Sequence, residues 1–348
     1  MLDKLVDCEV LIVGSGPGGA ITAALMAESG KDVILVEEGA YSALDPSNFY
    51  SLDEMNQKYR NGGLTPAFGK TKVSYIEARC VGGGSEINAG LYHRPLPEKL
   101  MEWKSEYKIN DLDKTTLMPF YEAIEKDLSI SQNPNGAGLA SLKIQTGAEK
   151  MNWESHEIPR WWKYTKNADG SLRGTRQSMT KTYIPRAQKS GCQLFSNTQV
   201  KRLILKRNSG KHAIALSVKE NGEKQKLKIR FRDVFVCGGA IQTPALLRRS
   251  GIKKNIGNSL AMHPMVRMPA LFNEKVNEEH RGIPVHQVQE FKPNLTLGCS
   301  LGTVPYLALW MADHPGSIHN QLKNWPNMAV YYAAIIAKKR GSIRNIPW

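Results

Sequence analysis

Gly14, Gly16 and Gly19 stand between the apolar run Val10 to Val13 and the helix-spaced residues Ala20 to Ala27, and Glu37 ends the next apolar run. Glycine at these spacings frees backbone where a nucleotide would need it. Gly14 permits a tight turn, Gly16 lets the backbone approach a pyrophosphate at a helix N-terminus, and Gly19 allows helix to pack closely on strand. Glu37 lies at the distance, about 20 residues on, where a carboxylate accepts hydrogen bonds from an adenosine ribose. The pattern alone leaves a plain glycine turn as the alternative. Strand, helix, strand and acid in register point to a dinucleotide, and Glu37 serves NAD and FAD equally well.

These residues need a scaffold to hold them. Val10 to Val13 do not alternate, as expected of a strand buried on both faces of a parallel sheet. The stretch from Tyr41 to Lys72 has little periodicity and is expected to be an extended excursion over the nucleotide site. Leu117, Phe120, Tyr121, Ile124 and Leu128 predict an amphipathic packing helix over 114–128. Between Gln193 and Cys237, the runs QLFS, VKRLIL, AIALSV and LKIRF predict an antiparallel meander. It leads into Gly238-Gly239 and a helix expected from about Thr243, a second strand-to-helix turn. Further strands are expected near 268–272, 285–291 and 327–337.

The composition, 41% hydrophobic and 23% charged over 348 residues, is that of a globular protein with room for two domains. The formal charge of +15 favours anionic surfaces or substrates, yet the basic residues form no single tail and no nucleic-acid motif accompanies them. Nucleic acid is therefore not expected as a partner. Five well-separated cysteines suggest neither a metal pair nor a disulfide framework, and no metal site is expected. The first strand begins too early for a secretory leader, and the run from Met328 to Ala337 is too short to span a bilayer. The expected location is the cytoplasm, with peripheral attachment to the inner membrane left open.

Residues 78–88 (ARCVGGGSEIN), 239–252 (GAIQTPALLRRSGI) and 256–264 (IGNSLAMHP) together resemble segments of the glucose-methanol-choline oxidoreductases, flavoenzymes that oxidise alcohols. Residues 78–88, ARCVGGGSEIN, continuing AGLYHR, are similar to the family's first signature. Gly82, Gly83, Ser85, Ile87 and Asn88 match, and Ala78 replaces a usual glycine. Residues 239–252, GAIQTPALLRRSGI, resemble the second signature almost throughout. Residues 256–264, IGNSLAMHP, resemble the segment that follows it, with Ser259 and Met262 where Asn and Asp are usual. Residues 180–200 resemble the lead-in to the strand whose valine touches the flavin's adenine, here Val200.

The resemblance implies FAD as cofactor, held by Gly14, Gly16, Gly19, Glu37, Gly82, Gly83, Ser85, Asn88, Ala89, Gly90, Leu91, Val200, Gly239 and Ala240. The residue types agree. Gly82 to Gly84 leave N–H groups uncovered, Asn88 offers donor and acceptor, and the helix after Gly239 presents a positive dipole end. A glycine turn capped by Asn88 and a plain strand-to-helix connection are the alternatives. The implied fold class is α/β, a Rossmann-like FAD-binding domain with inserted antiparallel strands plus an α+β substrate domain. The expected bounds are 1–98 and 181–265 for the first, and 99–180 and 266–348 for the second.

The implied reaction takes a hydride from a CH–OH group of an alcohol or sugar to flavin N5 while a base takes the hydroxyl proton. In the family that base is a histidine in a later segment. Residues 337–345, AKKRGSIRN, resemble the hairpin turn that ends the substrate sheet, so the chain is expected to be the N-terminal portion of a longer enzyme, with its catalytic residues beyond it. His263 and His93 are the nearest substitutes, each with a packing role as the alternative. His156, His212, His280, His286, His314 and His319 lack a carboxylate, nucleophile or metal-ligand partner in the pattern. The electron acceptor, whether oxygen, quinone or a cytochrome, is not encoded legibly. An NAD-dependent dehydrogenase and a non-catalytic flavin-binding module are the competing functions.

Overall fold

The computed structural model describes residues 4–42, 51–70, 73–205, 210–277, 285–300, 302–311 and 321–345. The chain opens with β1 (Lys4–Val13), α1 (Pro17–Glu28) and β2 (Val33–Val36). Val10, Leu11 and Ile12 of β1 and all four residues of β2 are buried, which is why these runs do not alternate. The excursion expected after Glu38 contains regular structure. Ser51 accepts a hydrogen bond from the Glu54 N–H and so caps α2 (Leu52–Lys58), and a hairpin of β3 (Thr65–Ala67) and β4 (Val73–Tyr75) follows.

Next come α3 (Pro97–Tyr107), α4 (Lys114–Asp127), β5 (Ile130–Ser131), α5 (Leu139–Lys150), β6 (Ser155–Glu157), β7 (Arg160–Lys166) and β8 (Leu172–Arg176). The helix expected over 114–128 is α4, capped by Asp113, but none of its residues is fully buried. After α6 (Tyr183–Lys189), β9 (Gln193–Phe195), β10 (Thr198–Ile204), β11 (His212–Val218) and β12 (Lys224–Val236) comes α7 (Gly239–Arg249), which starts four residues before the expected Thr243. Pro244, the sixth residue of α7, lies past the first turn, so one N–H of the helix ladder is missing there. The last elements are β13 (Met265–Leu271), β14 (His286–Val288), β15 (Leu295–Ser300), α8 (Val304–Trp310) and β16 (Met328–Ile335).

Two compact units emerge: residues 1–88, 178–264 and 335–348 in the first, and 89–177 and 265–334 in the second. The expected bounds differ chiefly at 89–98 and 335–348, which fall on the other side. In the first unit, the strand order is β10-β11-β12-β1-β2-β9. β12, β1, β2 and β9 run parallel, while β10, β11 and β12 form the antiparallel meander. The run QLFS therefore belongs to the parallel edge as β9 and not to the meander, because its partner is β2. Its core joins Leu11, Ile34 and Val36 to Val200, Leu203, Ala213, Ala215, Ile229 and Leu246. In the second unit, a five-stranded sheet has the order β13-β16-β15-β14-β6, beside a three-stranded β5-β7-β8.

Residues 335–343 run back along 257–264, with Ile335 N–H to Pro264 O at 3.2 Å, Leu260 and Gly341 exchanging bonds of 2.9 and 2.8 Å, and Ile343 N–H to Gly257 O at 2.8 Å. Those bonds satisfy backbone groups of both stretches.

Candidate functional site

The site grows from a register. β1 and β12 are parallel neighbours that end together, Val13 opposite Val236. Each then turns through glycine into a helix, α1 after Gly14 to Gly16 and α7 after Gly238. In α/β sheets, ligands collect in such a crevice beyond the carboxyl ends of the strands, where the chain departs to opposite sides of a central strand. Here β1 is that strand, with β2 on one side and β12 on the other.

A cleft of about 620 Å³ occupies this position, in the range of cofactor sites. Gly14, Gly16, Pro17 and Gly18 wall it from the first turn, and Cys237 to Thr243 from the second. Both helices have glycine N-caps with no side-chain hydrogen bond, Gly16 and Gly238, and neither has an acid in its first turn. Their first N–H groups are thus left for an outside acceptor, and both dipoles favour an anion there.

The glycines have separable roles. At Gly14 φ is +100°, and a Cβ would come within 2.5 Å of Cys237 O; at Gly19 it would strike Gly14 O at 1.8 Å. The first is held by backbone conformation, the second by helix-on-strand packing. At Gly16 the nearest atom to such a Cβ is 3.9 Å away, so this position opens on the cleft. Gly83 and Gly84 also line it, and Gly82 N–H donates to Ser15 Oγ at 3.0 Å, which joins the second glycine loop to the first.

Glu37 is 7% exposed and faces the cleft. Its Oε2 accepts from Ser15 N–H at 3.0 Å and Ser15 O–H at 2.8 Å, and its Oε1 accepts from Gly39 N–H at 2.9 Å. Both lone pairs of Oε2 are thereby engaged, while Oε1 keeps one for a further donor. Burial pushes the carboxyl pKa upward, opposed by the Ser15 and Gly39 hydrogen bonds and the Arg60 charge.

The other expected residues divide. Val200, Gly239 and Ala240 line the cleft with Gly14, Gly16, Glu37 and Gly83. Ser85 does not: it is fully buried, its hydroxyl donating to Gly82 O at 2.7 Å and accepting from Met179 N–H at 3.0 Å, so it fastens the glycine loop. Gly82 and Asn88 are absent from the lining, and the Asn88 N–H bonds Gly84 O at 3.1 Å. Ala89, Gly90 and Leu91 belong to the second unit, where a Cβ on Gly90 would meet the indole nitrogens of Trp161 and Trp162 at 2.8 and 2.7 Å.

Sequence reasoning missed a polar group at one end of the cleft. Arg60 donates to Glu38 and, at 2.7 Å, to Glu77; Gln199 donates to Glu38 at 2.8 Å and Gln242 to Glu77 at 3.2 Å. All five residues line the cleft. They come from five separate stretches of chain, and only the acid pair Glu37-Glu38 offered a hint.

Among the histidines, His263 is exposed in the stretch before β13. His286 is buried, and burial lowers its pKa. His280, His314 and His319 lie outside the described residues. No cluster able to hold a metal occurs among the described residues.

Comparison with known proteins places the chain. The family model for GMC oxidoreductase matches residues 55–265, and one for an FAD binding domain matches 7–79. An uncharacterized GMC-type oxidoreductase of Sinorhizobium fredii is 32% identical over 346 residues, covering 98% of this chain and 68% of the relative. A long-chain-alcohol oxidase of Arabidopsis thaliana is 25% identical, covering 78% of this chain and 38% of its own length. The crystal structure of pyridoxine 4-oxidase from Mesorbium loti superposes with a TM-score of 0.71 at 15% identity, over 97% of this chain and 73% of that one, which is a likeness of fold. The FAD match sets aside the NAD alternative for the first glycine loop. The chain belongs to the GMC oxidoreductases, with FAD as its cofactor.

Proposed function

We propose that the cleft of the first unit holds FAD and that the second unit serves substrate binding, in an enzyme that oxidises a CH–OH group of an alcohol or sugar. The observation that carries this reading is the pair of uncapped helix N-termini opening on one cleft beside Glu37. In it, the N–H groups at Gly16, Gly18, Ala240 and Ile241 are those free to receive the pyrophosphate, with Gly83 and Gly84 offering uncovered backbone. Glu37 accepts from the adenosine ribose while Ser15 and Gly39 fix its two oxygens. Val200 packs against the adenine, and Glu38, Arg60 and Glu77 close that end. FAD supplies the hydride acceptor at flavin N5.

Neither His263 nor His93 is assigned the role of base. An alcohol as substrate fits what the names of its relatives say: long-chain alcohols in one, pyridoxine in another. The five free cysteines fit a reducing compartment such as the cytoplasm. No helix among the described residues is long and apolar enough to cross a membrane.

The test is anaerobic reduction. The protein is reconstituted with FAD, mixed with a panel of primary alcohols, sugars and pyridoxine, and watched for bleaching of the oxidised flavin band. Bleaching by one class assigns it, and reoxidation by oxygen, a quinone or cytochrome c then identifies the acceptor. Failure to take up FAD at all would refute the cofactor assignment of the cleft. Uptake without bleaching would restrict the chain to flavin binding.

A further inference from the structure

One face of the antiparallel meander carries a row of basic residues. In β12, Lys224, Lys226, Lys228, Arg230 and Arg232 occupy every second position, while Leu227, Ile229 and Phe231 between them are buried. Five cations therefore project from the outer face of the meander, away from its core. The register adds an apolar component. Arg202 lies opposite Ile214, Ile214 opposite Lys228, and Lys228 opposite Leu5, so one row crosses four strands as cation, aliphatic, cation, aliphatic. Leu216 opposite Lys226 and Val218 opposite Lys224 extend it toward the turn. Leu5 is 49% exposed, and Ile214 and Val218 are 38% exposed.

Carboxylates neutralise only the margins. Asp7 pairs with Arg230, Glu9 and Asp233 with Arg232, and Glu223 with Lys219. Arg202, Lys224, Lys226 and Lys228 enter no ion pair among the described residues.

We propose that this face, the outer side of β10 to β12 with the start of β1, docks on a bilayer surface that carries anionic lipid. The proposal is independent of the cofactor and substrate readings. Lysine stems reach along apolar surface while their ammonium groups stay at phosphate level, so the methyl groups of Leu5, Ile214 and Val218 can enter the headgroup boundary between them. A fluid anionic surface needs no matched partner for each cation. An acidic protein partner fits less well, because protein interfaces are depleted of lysine and anchored by aromatic residues and arginine, and this row has no aromatic side chain.

The test is sedimentation of the 348-residue chain with vesicles of phosphatidylcholine alone or with about one-third phosphatidylglycerol. Binding is expected to the second and not to the first, and to weaken with added salt. Each neutralised cation should cost about fivefold in affinity, so K224Q/K226Q/K228Q should need about a hundredfold more lipid. A second variant, Leu5→Ser with Ile214→Ser, keeps the charge and should lose about tenfold through apolar burial. Cooperative melting of each variant verifies its fold. Absence of binding to the anionic vesicles, or undiminished binding by the triple glutamine variant, overturns the proposal. So does serine-variant binding equal to that of the parent chain, which would show attraction by charge alone with no apolar docking.

Discussion

Gly14 lies so close to Cys237 that a Cβ on the glycine would come within 2.5 Å of the cysteine's carbonyl oxygen. This contact fastens the turn after β1 to the turn after β12, and both are held further by Gly14 N–H to Val36 O at 2.8 Å and Cys237 N–H to Val13 O at 2.7 Å. Gly14→Ala should meet both a left-handed backbone and an immovable carbonyl. The expected result is at least a tenfold loss of FAD affinity, measured by flavin fluorescence titration. Gly16→Ala, which has open space, should weaken FAD without lowering the melting temperature of the flavin-free protein.

Glu37 should cost the flavin-free protein stability at neutral pH. Its folded pKa is raised, so the ionised form is disfavoured in the folded state, and stability falls as pH rises from the ordinary glutamate range, about 4, toward the folded value. Glu37→Gln removes that penalty while an amide oxygen still accepts from Ser15. The melting temperature of the variant, relative to the parent, should climb as pH rises above about 4, while FAD affinity drops about tenfold. The amide NH2 faces the Gly39 N–H, a cost that does not change with pH, so a relative melting temperature that fails to rise with pH would contradict the argument.

Arg60 is held between Glu38 and Glu77, with all three side chains about one-sixth exposed. Removing it leaves two carboxylates facing each other in a partly desolvated cleft. Arg60→Met should destabilise by about 3 kcal/mol, and adding E38Q/E77Q should return most of it. FAD affinity should fall much further than FMN affinity, since FMN lacks the adenosine that the proposed function assigns to this end of the cleft. Equal losses for the two flavins would mean that Arg60 acts through general stability.

The thiols should be inert. Burial pushes Cys8 and Cys299 up to about 12 and Cys192 up to about 11, and raises Cys80 and Cys237 as well. Thiolate is the reactive form, so iodoacetamide at pH 7.5 should label the folded chain slowly and the denatured chain quickly. Cys237 lines the cleft, and any residual labelling there should be suppressed by FAD.

The edge strand β13 carries Val266 at 72% and Met268 at 67% exposure. An apolar edge with free backbone groups invites association. The chain of residues 1–348 should aggregate in light-scattering assays at lower temperature than a V266T/M268K variant.

Much of the first unit was legible because its signals are local. A buried parallel strand reads as an unbroken apolar run, a meander as short alternating runs between turn residues, and a phosphate turn as glycines at fixed spacing. β1, α1, β2 and the β10 to β12 meander followed, as did Gly14, Gly16, Glu37, Val200, Gly239 and Ala240 around one cleft. The sequence itself thus determined the cofactor class and the family. Pairing partners were beyond it: QLFS has the same local pattern whether it pairs with β2 or with the meander, and 335–343 could return as a hairpin or lie along 257–264. Tertiary structure also decided that Ser85 fastens a loop from the interior, that Arg60 sits between Glu38 and Glu77, and that alternate lysines of β12 share a face with Leu5 and Ile214. Each of these depends on residues far apart in the chain meeting across a sheet or a cleft, and hydrophobic periodicity carries no information about which distant partner a strand or a charge will find.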